Sequence, residues 1–187
     1  MKNSIFNSPG NYKSLIVYQK AEAIFDITCY FCKTYLQRGD RTIGQMEQAA
    51  RSGKQNIVEG SAASATSTEM EIKLKNVAKA SSLELLSDYE DFLRTRGYRQ
   101  WEANSKELNA MRNLGRKHND SEFYMKIVKT RPPETIANMA ICMIKQNDYL
   151  MSKMIQVLEK KFLSEGGMRE RMTRLRKEER RKNGSGY

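Results

Sequence analysis

Cys29 and Cys32 stand three positions apart in Cys-Tyr-Phe-Cys, the spacing of a redox dithiol or of half a zinc site. A redox pair of this kind needs a thioredoxin-like strand-to-helix setting. Here the two cysteines fall inside a stretch whose apolar residues recur every three or four positions, so they are expected mid-helix. A zinc site needs four ligands, and Cys142 and His118 are the only other cysteine and histidine in the chain. The pair therefore reads as core thiols, since free cysteine packs as a small hydrophobe. His118 lies in the polar run 116–120. With no Ser, Cys or carboxylate constellation tied to it, it reads as a surface histidine rather than a general base. No glycine-rich phosphate cradle is present, and one histidine cannot supply the paired Glu-x-x-His of a di-iron bundle. No catalytic residue, metal or cofactor is expected.

Basic residues are the other chemical resource. The 187 residues carry 33 Lys+Arg against 22 Asp+Glu, a formal charge of +11. Such an excess suits an anionic partner: nucleic acid, an acidic protein or a membrane surface. The candidates are Arg38, Arg41, Arg51, Lys54, Lys73, Lys75, Lys79, Arg94, Arg96 and Arg99, with Arg174, Arg176 and Lys177 further on. Any one of these is ordinarily a solvated surface charge. Around 94–101 they alternate with Tyr98 and Trp101, and cations interleaved with aromatic rings suit phosphates and stacked bases. Residues 165–187 hold eight Lys+Arg and four acids, so this end carries +4 and the rest +7.

The elements that must position these residues read as helices. Val17, Ala21, Ile24, Phe25, Thr28, Cys32, Tyr35 and Leu36 form one apolar stripe over 14–37. Gly39-Asp40 interrupts it, with Asp40 as the N-cap of a second helix over 41–63. That helix presents a small face of Ala49, Ala50, Gly53 and Gly60. Two interior glycines cost about 1 kcal/mol each relative to Ala, and a close helix contact would offset that. Thr66-x-x-Glu69 and Thr68-x-x-Glu71 both read as capping boxes for a third helix reaching about Arg96, with Gly97 as its stop. Residues 98–131 look less regular: a short helix from about Trp101 ending at Gly115, then another over 121–130. Pro132-Pro133-Glu134 opens a fourth long helix whose stripe runs from Ile136 to Phe162 and includes Asn147, read as a buried polar residue fixing register. Met168, Met172 and Leu175 make a thin stripe on a charged tail, and 183–187 are expected to lie outside it.

The expected fold is thus all-α. Residues 1–13 form an arm, 14–163 an antiparallel up-down four-helix bundle with an insert at 98–131, and 164–187 a basic tail. No apolar leader or 18-residue apolar run appears, and three cysteines do not make a disulfide framework, so a cytoplasmic protein with no membrane contact is expected.

Gln45-Met-Glu-Gln-Ala-Ala-Arg-Ser-Gly-Lys-Gln-Asn-Ile-Val-Glu-Gly60 resembles the second-helix signature of the bacterial four-helix-bundle family found in intervening sequences of large-subunit ribosomal RNA genes. Leu15-Ile-Val-Tyr-Gln-Lys-Ala21 resembles that family's first-helix opening, and Ala78-Lys-Ala-Ser-Ser-Leu-Glu-Leu-Leu86 its third-helix segment. The insert and the tail make this chain a longer variant. The family includes the accessory variability protein of diversity-generating retroelements, a pentameric basic barrel that binds nucleic acid and the element's reverse transcriptase. The resemblance implies a homo-oligomer, five subunits as the first guess, with DNA or RNA and a reverse transcriptase as partners. It implies structural roles for Gln45, Asn56, Glu59, Gly60, Ser81 and Glu84. The alternative is a structural oligomer whose charge meets an acidic protein.

Overall fold

Asp40 caps the second helix as expected: its Oδ1 accepts from the Thr42 amide at 2.9 Å, where the first free N–H groups would otherwise lack partners. The computed structural model describes residues 11–184. After a 3-10 turn at Tyr12–Ser14 come α1 (Ile16–Tyr35), α2 (Arg41–Ala63), α3 (Thr68–Thr95), α4 (Lys106–Lys117), α5 (Ser121–Val128), α6 (Pro133–Glu165) and α7 (Met168–Gly184). Among the described residues every regular element is a helix. None is long and apolar enough to cross a membrane.

Four helix ends differ from expectation. The cap of α3 is Ser67, whose Oγ accepts from the Met70 amide at 3.2 Å, rather than Thr66 or Thr68. Thr66 instead closes the preceding helix, its hydroxyl donating to the Ala63 carbonyl. Ser67→Ala is expected to lower thermal stability by about 1 kcal/mol, and Thr68→Ala by less than about 0.5 kcal/mol, by denaturant titration. Equal losses would reassign the cap. The insert's first helix begins at Lys106, not near Trp101, because Ser105 Oγ caps it and the run before it is held otherwise. Asn138 on α6 accepts from the Trp101 amide and donates to the Arg99 carbonyl, while Glu134 accepts from the Arg99 amide. That helix also runs through Gly115, which is buried in it. Asn183 and Gly184 belong to α7, and 185–187 lie outside the described residues, as do residues 1–10 of the expected arm.

α1 packs on α2, α2 on α3, α3 on α6 and α6 on α1, while α4 lies against α6 and α5 against α1. The paired residues run in opposite order across each of the first three seams. Cys32 meets Met46 while Phe25 meets Lys54. Gly53 meets Ser82 while Gly60 meets Glu71 and Leu74. Arg99 meets Glu134 while Lys79 meets Ser152.

The α2–α3 seam uses the small face legible in the sequence. A Cβ on Gly53 would stand 3.2 Å from Ser82 Oγ and 3.6 Å from the Ala78 carbonyl, so the two backbones approach where that side chain is absent. Ser52 and Ser81 share a hydroxyl hydrogen bond of 2.9 Å across it.

The larger core gathers Ile27, Phe31, Met46, Leu85, Tyr89, Phe92 and Leu93 around α6, with Tyr124 and Val128 supplied by α5. All nine residues 136–144 of α6 are buried, so this helix is enclosed on every side there. A smaller cluster of Val17, Tyr18, Ala21, Ile57, Ala78 and Met151 continues toward the other end. Tyr89 is completely buried and donates to Thr28 Oγ1 at 3.0 Å. Asn147 is buried as expected, though its Oδ1 finds no donor.

Candidate nucleic-acid interface

The residues 36–40 that join α1 to α2 hold Arg38, and Arg41 begins α2. α3 ends at Thr95, and Gly97 turns the chain with a φ of 68°, a left-handed conformation that glycine adopts without strain. The turn leaves Arg96, Tyr98 and Arg99 exposed. Three contacts bring these segments together with the start of α6. The Arg99 amide donates to Glu134 at 3.0 Å, the Tyr35 hydroxyl donates to the Arg131 carbonyl at 3.1 Å, and the Arg99 carbonyl accepts from Asn138 at 2.9 Å. The Asp40 carboxyl is held below its ordinary range, first by the hydrogen bond from Thr42 and to a smaller degree by the Arg96 guanidinium. One end of the molecule therefore displays Arg38, Arg41, Arg94, Arg96, Arg99 and Arg131, all exposed.

An aromatic floor supports this end. The Arg96 guanidinium lies 4.1 Å over the Phe92 ring. Phe92 in turn packs edge-on against Phe31 at 4.7 Å and tilts toward Tyr98 at 5.9 Å. Stacking on a ring directs a guanidinium while leaving its N–H groups free for an anion. Arg94 is paired with Asp91 at 2.7 Å, but both side chains are largely exposed, and such pairs contribute little.

The other basic candidates are placed elsewhere. Arg51 and Lys73 are exposed on the flanks of α2 and α3. Lys54 is half-buried with its Nζ 4.2 Å over the Phe25 ring. Lys79 bonds Ser152 at 2.6 Å and pairs with Asp148 at 3.5 Å, tying α3 to α6. Lys75 corrects the reading most sharply. It is fully buried and ion-paired to Glu71 at 2.7 Å, so it belongs to the interior and not to a basic surface. Its spacing carried the signal: Glu71, Lys75 and Ala78 lie four and three residues apart, on one helix face. Arg174, Arg176 and Lys177 are exposed on α7, which leaves the far end of α6.

Of the residues the resemblance marks, Gly60 is buried against Glu71 and Leu74, and Ser81 is buried with its hydroxyl on Ser52. Within α2, Asn56 donates to the Ser52 carbonyl at 2.9 Å and to the Ser52 hydroxyl at 3.2 Å, the hydroxyl that meets Ser81 across the seam. Gln45, Glu59 and Glu84 are exposed. The cysteines lie apart from the basic end's surface. Cys29 is half-buried mid-α1, Cys32 is buried with its thiol on Met46 Sδ, and Cys142 is buried in α6. Burial pushes the Cys32 thiol up to about 12 and raises those of Cys29 and Cys142, so none is poised as a thiolate. His118 is half-buried, its ring stacked on Phe123 at 3.8 Å rather than standing free in a loop.

Two residues escaped the sequence reading. Arg131 is not among the basic candidates of the sequence, and its carbonyl meets the Tyr35 hydroxyl at the end of α1. Lys20 is buried in α1 and donates to the Gly115 carbonyl at 2.5 Å. It lies three residues after Val17 and four before Ile24, on the apolar stripe itself. Comparison with protein-family models, curated proteins and solved structures finds no match.

Proposed function

We propose that α1, α2, α3 and α6 form an antiparallel up-down four-helix bundle, with α4 and α5 as its insert, and that the protein is a non-catalytic nucleic-acid-binding accessory protein working as a cytoplasmic homo-oligomer. The opposed order of contacts along consecutive seams supports the topology. The observation that carries the binding role is the exposed arginine cluster at one end, drawn from three separate segments, with Arg96 seated on the Phe92 ring. Each phosphate neutralised releases counterions, so binding is driven by charge and tolerant of sequence. The resemblance adds five subunits and a reverse transcriptase as partner.

The test is fluorescence anisotropy with single- and double-stranded probes at about 50 and about 200 mM salt, on the full chain and on a chain ending at Gly167. With about four phosphates neutralised, affinity falls about 100-fold across that range. No binding at low salt would favour the acidic-protein partner, and binding indifferent to salt would overturn the mechanism. Light scattering under the same conditions should give a multiple of 21.6 kDa. A single-subunit mass would remove the oligomer.

A further inference from the structure

Between α1, α4 and α6 lies a cleft of about 770 Å³, within the range of pockets that enclose small organic molecules. Its walls are apolar: Trp101, Leu108, Ile141 and Leu150 face it. Its charged lining residues are Lys20, Arg112, Arg116 and Lys145, and among the described residues no carboxylate lines it. Arg112, Arg116 and Lys145 are exposed, whereas Lys20 is buried.

Lys20 is in part explained by the fold. The last carbonyls of a helix lack intrahelical donors, and the Lys20 ammonium satisfies that of Gly115 in the final turn of α4, where positive charge is also favoured. An ammonium has three donors, and the Gly115 carbonyl is its one acceptor among the described residues. Burial lowers its pKa from the ordinary lysine value, with Cys142 opposing this weakly. A buried cation short of acceptors, in an apolar cleft without acids, is a receptor for an anion.

We propose that this cleft binds a small organic monoanion, a carboxylate on an apolar body, with the carboxylate on Lys20 and the body against Trp101, Leu108 and Leu150. One buried cation matches one negative charge. A phosphate dianion would bring a second charge into the interior, where no second cation is buried, since the other three stand at the rim.

Trp101 is the chain's one tryptophan and lines the cleft, so its emission reports occupancy. The experiment titrates the full chain with cyclohexanecarboxylate and with its neutral isostere cyclohexanecarboxamide. The carboxylate is expected to shift the emission saturably and to bind about tenfold or more tighter than the amide. Lys20→Met, checked by circular dichroism, removes that preference and leaves the weaker amide binding unchanged. Ala103→Phe narrows the mouth from an exposed, non-helical position and weakens both ligands, which keeps the test open should Lys20→Met fail to fold. Absence of saturation, equal binding of acid and amide, a Lys20→Met protein that keeps the preference, or an Ala103→Phe protein that binds unchanged would each overturn the assignment.

Discussion

Glu71→Ala is expected to lower the free energy of unfolding by about 3–5 kcal/mol, with the urea midpoint falling and the slope unchanged. The reason is what remains behind. The Lys75 side chain is 1% exposed and the Glu71 side chain 10%, and their 2.7 Å contact is the only ion pair Lys75 makes among the described residues. Gly60 packs on the Glu71 carbonyl and the Lys75 Cγ, so the pair is sealed by the neighbouring helix and the stranded ammonium has no route to water without opening the seam. Replacing both partners, Glu71→Gln with Lys75→Met, removes both charges from the interior and is expected to restore most of the loss, because a buried pair repays little more than its own desolvation. A single-variant loss below about 1 kcal/mol would mean that water reaches Lys75 in solution.

Reversing Arg94, Arg96 and Arg99 together to glutamate is expected to weaken binding of a duplex probe by about 100-fold at low salt, and to reduce the slope of log affinity against log salt by about three. Each of the three is exposed at the same end: the structural bonds at Arg99 are made by its backbone, Arg94 pairs with exposed Asp91, and Arg96 stacks on Phe92, so circular dichroism should confirm that the variant keeps the wild-type fold. The control reverses Lys153, Lys160 and Lys161, an equal change in charge on the exposed far half of α6. If the control loses as much as the arginine variant, net charge rather than the basic end governs binding.

The helices were legible because their signals are local. Asp40 at the N-cap, the small face of α2 and Pro133 in the first turn of α6 each act within a few residues, and α2 runs over the expected 41–63. Ser67 was missed since three hydroxyl residues stand in a row, and which of them turns extended is settled by how α2 ends. Lys75 is misread by type, and Lys20 gives no signal by type, because lysine is ordinarily a surface residue; in both cases the helical periodicity, which places them on buried faces, is the truer guide. The basic end stands in fragments in the sequence, Arg38 and Arg41 apart from Arg94–Arg99 and from Arg131, because α2 and α3 separate the first two groups, α4 and α5 separate the third, and only packing reunites them. The cleft left no trace in the sequence, being a gap between elements whose docking depends on Asn138 and Gly115.

The enclosure of α6 has a consequence in time. Its residues 136–144 are buried on all sides, whereas from 156 to 164 the same helix has mostly exposed side chains. Amide hydrogens in the first stretch can exchange only when the whole core opens, while those in the second need just the release of a helix end. A single continuous helix therefore contains both the slowest clock in the molecule and one of its fastest, and deuterium uptake resolved along 133–165 should read out a rate gradient spanning several orders of magnitude without any break in secondary structure.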